Sequence, residues 1–209
     1  MARQGYSRVV PLACLTGLAF LWLPGNWRWL VGGALAVLLV LLLNFYRDPD
    51  RTAPAGTGGA LRLLAPADGR VVAVRHSQER LEVSIFLSAF DVHVNRSPAA
   101  GRVVSLAHTP GRYLPAFLAN SSTENERVRL EIQSPDAGRV VCTQVAGLLA
   151  RRIENWIEVG STLAEGERYG MIHLGSRLDL EAPGEFKAVV APGQRVKAGV
   201  SVLAEYTRG

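Results

Sequence analysis

Two apolar stretches near the amino terminus limit what this 209-residue chain can fold into. Residues 9–23 hold 12 apolar side chains and residues 29–46 hold 15. At about 1.5 Å per helical residue the stretches reach about 22 and about 27 Å, whereas the hydrocarbon core of a bilayer is about 30 Å thick. We therefore predict two helices, of which the second could span a membrane and the first is marginal.

The sequence around these stretches predicts a helical hairpin at the cell membrane. Pro24-Gly25-Asn26 is a turn signal, and the Trp-Arg-Trp at 27–29 suits a membrane–water boundary. Arginines precede the hairpin at positions 3 and 8 and follow it at 47 and 51, so the positive-inside rule places both ends in the cytoplasm. A cleaved signal peptide is not favoured, because no small-x-small cleavage site follows Leu23. The hairpin either spans the membrane or lies embedded in one leaflet.

Beyond residue 60 the pattern changes to short strands bounded by Gly and Pro. Residues 52–59, TAPAGTGG, have the composition of a linker. Three related octapeptides each predict a turn that feeds a strand: PADGRVVA at 66–73, PAAGRVVS at 98–105 and PDAGRVVC at 135–142. We predict a membrane-associated hairpin over 1–51, a linker over 52–59 and a mainly β (α+β) cytoplasmic domain over 60–209. Two segments of that domain, 112–119 and 147–155, are predicted to be helical.

The last stretch, residues 183–206, repeats strand, glycine turn and strand. It is similar to the barrel-sandwich domains that carry biotin or lipoate on a lysine at a hairpin tip. Lys187 and Lys197 are the candidate lysines, but neither has a methionine neighbour. A noncatalytic, membrane-anchored carrier or scaffold is therefore the alternative function.

Charge and cysteine content exclude several classes of protein. The net charge of +5 comes from 23 basic and 18 acidic residues, and five Arg and two Asp before residue 60 contribute +3 of it. The remaining domain is close to neutral, so nothing indicates a nucleic-acid partner. Two cysteines cannot build a disulfide framework or a cysteine-based zinc site, and no metal site is expected.

Candidate chemistry lies in three short tracts. His93 stands in residues 88–98 with an acid, an amide and a guanidinium nearby, and Asp68-Gly69 and Gly175-Ser176 both fit ordinary turns. No nucleophile elbow, phosphate loop or dinucleotide fingerprint is present in the sequence. From the residues alone, the chain is a membrane-anchored β-rich domain.

Six tracts, taken in order, resemble the short bacterial phosphatidylserine decarboxylase proenzymes, which depend on a pyruvoyl group. They are FYRDPDR at 45–51, LAPADGRV at 64–71, VSIFLSAFDVHVNRSPAAGRV at 83–103, ENER at 124–127, QVAGLLARRI at 144–153 and GMIHLGSRLDLEAP at 170–183. The resemblance covers nearly the whole chain. It implies decarboxylation of phosphatidylserine to phosphatidylethanolamine in phospholipid synthesis, on the cytoplasmic face of the membrane.

The resemblance also implies a self-made cofactor. Cleavage between Gly175 and Ser176 would convert Ser176 into the pyruvoyl group, which forms a Schiff base with the substrate, and neither a metal nor pyridoxal phosphate would be required. The products would be a β chain of residues 1–175 and an α chain of residues 176–209, held together as a heterodimer that could assemble further.

Catalytic roles are carried over position by position. Asp68 matches the acid of the family and His93 a histidine assigned to decarboxylation. Longer relatives have a second histidine three residues on, where this chain has Arg96. Either His93 therefore serves both self-cleavage and decarboxylation, or another residue such as His173 supplies one of them. Cations for the lipid phosphate would come from Arg96 or from Arg151 and Arg152.

Overall fold

A computed structural model describes residues 1–2, 5–55, 61–116, 120–148, 152–173 and 175–206, and it divides the chain into two compact units, 1–50 and 51–209. The helices are α1 (Tyr6–Trp22), α2 (Trp27–Phe45) and α3 (Ser121–Glu124). The strands are β1 (Leu61–Leu64), β2 (Gly69–His76), β3 (Arg80–Leu87), β4 (Val94–Arg96), β5 (Gly101–Thr109), β6 (Arg127–Ser134), β7 (Gly138–Val145), β8 (Ile153–Asn155), β9 (Thr162–Leu163), β10 (Arg168–Ile172), β11 (Ser176–Pro183), β12 (Lys187–Ala188), β13 (Arg195–Val196) and β14 (Val202–Tyr206).

The first unit is the helical pair expected from the two apolar stretches. Gly25 turns the chain between α1 and α2 with φ of +56°, a conformation that glycine adopts without a steric penalty. Gly32 leaves room for the ring of Phe20, which also meets Trp29 edge-on at 5.9 Å between centroids. By length and composition α2 could cross a membrane, whereas α1 is shorter. Most apolar side chains of α2 are exposed, as a lipid-facing helix requires.

The second unit is mainly β, so the predicted fold class is confirmed. Its largest sheet curls into a half-barrel and has the strand order β13-β2-β3-β11-β7-β6-β5-β9. Two three-stranded sheets, β1-β14-β12 and β4-β10-β8, complete the described part of the unit. In the large sheet β11 lies between β3 and β7 and is antiparallel to both.

Strand register defines two ends of the large sheet. Ser176 pairs with Leu87, and Arg177 pairs with Val145, so the start of β11 lies beside the ends of β3 and β7. We call this the Ser176 end. At the other end Pro183 pairs with Arg80. The loops that follow β3 and β7 therefore emerge beside Ser176, and the turn before β2 lies at the same end, since Arg70 pairs with Phe86.

The two faces of β11 differ in chemistry. Leu178, Leu180 and Ala182 are buried in the hydrophobic core. The alternate residues Arg177, Asp179 and Glu181 line a cavity of about 460 Å³ on the opposite face. Ser176 shares its face with Leu178, because side chains alternate along a strand. The serine therefore lies at the edge of the core.

The three octapeptides predicted their turns and strands correctly. β2 begins at Gly69, β5 at Gly101 and β7 at Gly138. Gly69 and Gly138 have φ of +149° and +70°, which explains a glycine at those positions. Gly101 has no positive φ, but a Cβ there would lie 2.6 Å from the carbonyl oxygen of Gln133.

The two predicted helices are wrong where the structure describes them. Residues 112–116 form no helix, residues 117–119 lie outside the described residues, and the nearest helical turn that the structure describes is α3. In the second segment Ile153–Asn155 is strand β8, which pairs with β10, and residues 149–151 lie outside the described residues. Pairing with a distant strand overrides the apolar spacing that indicated a helix. Cys142 is buried in the core, and burial raises the pKa of its thiol to about 12.

Candidate active site

Ser176 is a buried hydroxyl at the first position of β11. Its side chain is inaccessible to solvent, and no described residue offers its Oγ a hydrogen-bond partner. Buried polar atoms are usually paired, because an unpaired one costs about 1–3 kcal/mol. On the other face Arg177 donates from Nε to Asp179 at 2.7 Å and from a terminal nitrogen to Ser84 at 2.8 Å, which fixes the start of the strand.

Gly175 and Gly147 bring two backbone segments into close contact beside this hydroxyl. Gly175 has φ of +68°, which a residue with a Cβ rarely adopts. A Cβ added to Gly147 would lie 1.7 Å from the carbonyl oxygen of Gly175. Only glycine at position 147 therefore allows the Gly175 carbonyl to occupy this place.

The ENER tract holds Gly147 in position through its neighbour. Ala146 donates its N–H to the carbonyl of Glu126 at 2.9 Å, and its own carbonyl accepts from Asn125 Nδ2 at 2.8 Å. The same Asn125 side chain bonds both backbone groups of Leu114. A buried amide thus fixes the loop that contacts the Gly175 carbonyl.

His93 lies fully buried immediately before β4. Its carbonyl accepts a hydrogen bond from the N–H of Ile172 at 3.2 Å. Ile172 ends β10, four residues before Ser176. Pairing between β4 and β10 therefore brings the histidine tract alongside the segment that leads to Ser176.

A buried amide pair lies on the same side of the sheet. Gln144 Nε2 donates to Asn95 Oδ1 at 2.9 Å, and both side chains are inaccessible. Gln144 pairs with Leu178, diagonally across from Ser176. Neither Asn95 Nδ2 nor Gln144 Oε1 has a hydrogen-bond partner among the described residues. This part of the core can therefore donate to and accept from a further polar group.

Asp68 is positioned by an arginine. Its carboxylate accepts two hydrogen bonds from Arg51, one of 2.8 Å to Oδ2, and a third from the N–H of Ala198 at 2.8 Å. The side chains of Asp68 and Arg51 are almost completely buried. The Asp68 carboxylate is hydrogen-bonded to Arg51 and to the Ala198 N–H, and among the described residues it is not bonded to a histidine. The catalytic role of Asp68 therefore stays a prediction.

His173 has a carboxylate partner that the sequence did not suggest. Its Nε2 lies 3.3 Å from Glu154 Oε1, and its N–H donates to the carbonyl of Arg152 at 3.1 Å. Arg152 Nε also contacts Glu154 at 2.9 Å and is largely exposed. Arg96 is buried and donates to the carbonyl of Gly166 at 3.0 Å, whereas Arg151 lies outside the described residues.

Comparison with known proteins decides the family. The family model described as phosphatidylserine decarboxylase matches residues 38–204. The chain belongs to the phosphatidylserine decarboxylase family. A phosphatidylserine decarboxylase proenzyme of Symbiobacterium thermophilum is 41% identical over 97% of this chain and 94% of its own length. The proenzyme of Aromatoleum aromaticum is 42% identical over 81% of this chain and 80% of its own length. The proenzyme of Syntrophus aciditrophicus is 36% identical over 99% of this chain and 97% of its own length. These matches confirm the resemblance seen in the six tracts.

The decarboxylase family tracts contain residues that position the site but that the sequence had not marked as part of it. Arg51 ends the first tract, Asn125 lies in the fourth, and Gln144 and Gly147 lie in the fifth. A glycine within an otherwise apolar tract is a signal of close backbone approach. Glu154 lies outside the six tracts, and no local pattern marked it.

We predict that replacing Arg51 destabilises the fold. Arg51→Met leaves the Asp68 carboxylate buried without its cation, and this should cost about 3 kcal/mol of unfolding free energy. Urea denaturation of the full chain measures the loss. Arg62→Met is the matched control, because its ion pair with Glu165 is more exposed and should contribute less than about 1 kcal/mol. Equal losses in the two variants would contradict a special role for the Arg51–Asp68 pair.

Proposed function

We propose that this chain cleaves itself between Gly175 and Ser176 and then decarboxylates the serine headgroup of phosphatidylserine. The observation that carries the proposal is the buried Ser176 hydroxyl next to a Gly175 carbonyl fixed against Gly147. Decarboxylation is the activity of the family, and the name proenzyme implies processing of the chain. The precursor would become a β chain of residues 1–175 and an α chain of residues 176–209.

Self-cleavage needs only groups of this chain and water. Ser176 Oγ loses its proton to a base and attacks the carbonyl carbon of Gly175, and the peptide C–N bond breaks as the ester C–O bond forms. Removal of the Cα proton of Ser176 then expels the Gly175 carboxylate. Water hydrolyses the resulting dehydroalanine and releases ammonia, which leaves a pyruvoyl group at the start of the α chain. Glycine at 175 permits the left-handed turn that exposes its carbonyl carbon.

The buried site fits such a group. A pyruvoyl group there would supply an electrophilic keto carbon for the substrate amine and a conjugated amide able to take up the electron pair released when carbon dioxide departs. Asn95 Nδ2 and Gln144 Oε1 have unused hydrogen-bonding capacity on the same side of the sheet and can orient polar groups there. His93 is the residue we propose to hold the proton that returns to Cα of the product.

Cations near the site favour a phosphate-bearing substrate. Arg152 is exposed and bonded through its backbone to His173, so we propose that it contacts the lipid phosphate. Arg151 is proposed for the same role from the sequence alone. The buried Arg96, which bonds Gly166, would act from inside the protein. Nothing in the comparisons favours the carrier alternative at Lys187 or Lys197.

We predict that Ser176→Ala abolishes processing. The wild-type chain should separate under denaturing mass spectrometry into fragments of 175 and 34 residues, the latter with a keto-blocked amino terminus. The variant should remain at 22.6 kDa, because no hydroxyl is left to attack Gly175. Circular dichroism checks that the variant is folded. An intact wild-type chain would refute the proposal.

We predict that Gly147→Ala slows self-cleavage by at least about a hundredfold, since its Cβ would push the Gly175 carbonyl away from attack position. Gly184→Ala is the matched control. Its Cβ would lie 2.2 Å from the carbonyl oxygen of Gln78, a similar clash beyond the far end of β11. Time-resolved gel analysis should show fragments forming normally in Gly184→Ala and at least about a hundredfold more slowly in Gly147→Ala. Equal rates would mean that Gly147 does not position the scissile bond.

Three variants assign the base for self-cleavage. We predict that His93→Gln lowers decarboxylation by about 100-fold or more, the range expected of a lost general acid–base group. If His93 also deprotonates Ser176, the variant accumulates uncleaved precursor while His173→Gln is processed normally. Precursor accumulation in His173→Gln, reproduced by Glu154→Gln, would instead assign that step to the His173–Glu154 pair. Normal processing and activity in all three variants would contradict both assignments.

We further propose that the amino-terminal hairpin holds the enzyme at the cytoplasmic face of the membrane. Tethering raises the effective concentration of the active site near a lipid headgroup. Deletion of residues 1–46 should therefore reduce activity on phospholipid vesicles about tenfold or more relative to detergent-dispersed lipid. Equal loss in the two assays would count against the tether.

A further inference from the structure

Two loops at the Ser176 end of the sheet expose large apolar side chains. Phe90 follows the end of β3 by three residues and is 70% exposed, and Leu148 follows the end of β7 by three residues and is 54% exposed. β3 and β7 are the two neighbours of β11. The two side chains therefore stand on either side of the strand that begins with Ser176.

The residues that precede these loops are fully buried. Leu87 and Val145, the last residues of β3 and β7, are inaccessible to solvent. The change within three residues leaves most of the Phe90 side chain and about half of the Leu148 side chain exposed to water, where this apolar surface forgoes the hydrophobic stabilisation of burial. Single exposed apolar side chains are normal on protein surfaces, so what distinguishes these two is their place in the loops beside the strand that begins with Ser176.

Cations lie beside the Phe90 loop. Arg70 and Arg195 are directly opposite each other in the pairing of β2 with β13. Like charges in that position destabilise a sheet unless an anion compensates them. Arg195 contacts Asp91 at 3.2 Å, and this contact connects the two arginines to the loop that carries Phe90. Lys197, two residues after Arg195, is also exposed. On the other side, the exposed Arg152 follows the loop of Leu148.

We propose that Phe90 and Leu148 form a rim that enters the headgroup layer of an anionic phospholipid bilayer. Arg70, Arg195 and Lys197 pair with lipid phosphates and carboxylates beside it. Apolar side chains next to exposed cations suit contact with the interface of an anionic bilayer, where the side chains enter the headgroup layer and the cations meet lipid phosphates. The inference rests on the proposed function, because these loops flank the strand whose first residue, Ser176, is the proposed site of the lipid reaction.

Lipid contact can be measured without activity. Three variants of the full chain share the background substitution Cys14→Ser and carry one new cysteine each, by Phe90→Cys, Leu148→Cys or Val159→Cys. Each variant is labelled with a fluorophore at the new cysteine and reconstituted in vesicles that contain phosphatidylglycerol. Val159 is the matched control, since it is 60% exposed and lies before β9, which pairs with Gly101 at the opposite end of the sheet. Lipids with a spin label near the headgroup should quench positions 90 and 148 at least about threefold more than position 159. Equal quenching at the three positions overturns the rim.

A kinetic test separates lipid contact from catalysis. Phe90→Ser/Leu148→Ser is compared with Val159→Ser on vesicles of phosphatidylserine and on monomeric dihexanoyl phosphatidylserine. Burial of one such side chain in lipid corresponds to about tenfold in affinity or more. The ratio of vesicle to monomer activity should therefore fall at least about tenfold in the double variant and stay unchanged in Val159→Ser. An unchanged ratio in the double variant overturns the proposal.

The two assays distinguish failure of the rim from failure of the proposed function. A wild-type chain that stays intact and inactive refutes the function, but selective quenching at positions 90 and 148 would still establish the lipid contact. Self-association through this surface is a separate outcome. If the double variant lowers the oligomeric state in light scattering and quenching is absent, the surface binds a second copy and the lipid proposal is wrong.

Discussion

The close approach of Gly147 to the Gly175 carbonyl is the contact on which the rest of the site depends. A serine at the start of a strand can attack the preceding peptide bond only when the carbonyl of that bond is held where the serine hydroxyl can reach it. The fold achieves this from both sides of the scissile bond. Gly147 is fixed through Ala146 by the buried Asn125, and the start of β11 is fixed through Arg177 by Ser84 and Asp179. The left-handed Gly175 joins the two fixed segments.

Antiparallel pairing also explains how a cleaved chain would stay assembled. The strands after Ser176 are β11 to β14, and each described one pairs with another part of the sheet system. β11 lies between β3 and β7, β13 pairs with β2, and β14 pairs with β1. Cutting before β11 therefore removes a covalent connection at a strand boundary and leaves these ladders intact. A short α chain needs no separate core of its own.

The sequence predicted those features of the fold that depend on residues close together in the chain. The octapeptide turns and the helical pair both follow from residues close together in the chain. The helix expected over 147–155 failed because β8 is defined by pairing with β10 and Gly147 by a backbone contact with Gly175. The Arg51–Asp68 and Glu154–His173 pairs join residues 17 and 19 positions apart. No periodicity marks such contacts, and only the family tracts placed some of these residues near the site.

The position of Arg96 limits where a base for self-cleavage can come from. The family resemblance implies a second histidine at this position in longer relatives, but here the Arg96 side chain reaches the Gly166 carbonyl and packs against Gly199. The two histidines that remain near Ser176 meet at the end of β10. The carbonyl of His93 bonds Ile172, and His173 is the next residue along the chain. One end of a strand thus brings both candidate bases to the segment that contains the scissile bond. Since His173 has Glu154 as a carboxylate partner that can orient its ring, two histidines stay candidates for the proposed acid–base chemistry with an arginine at position 96.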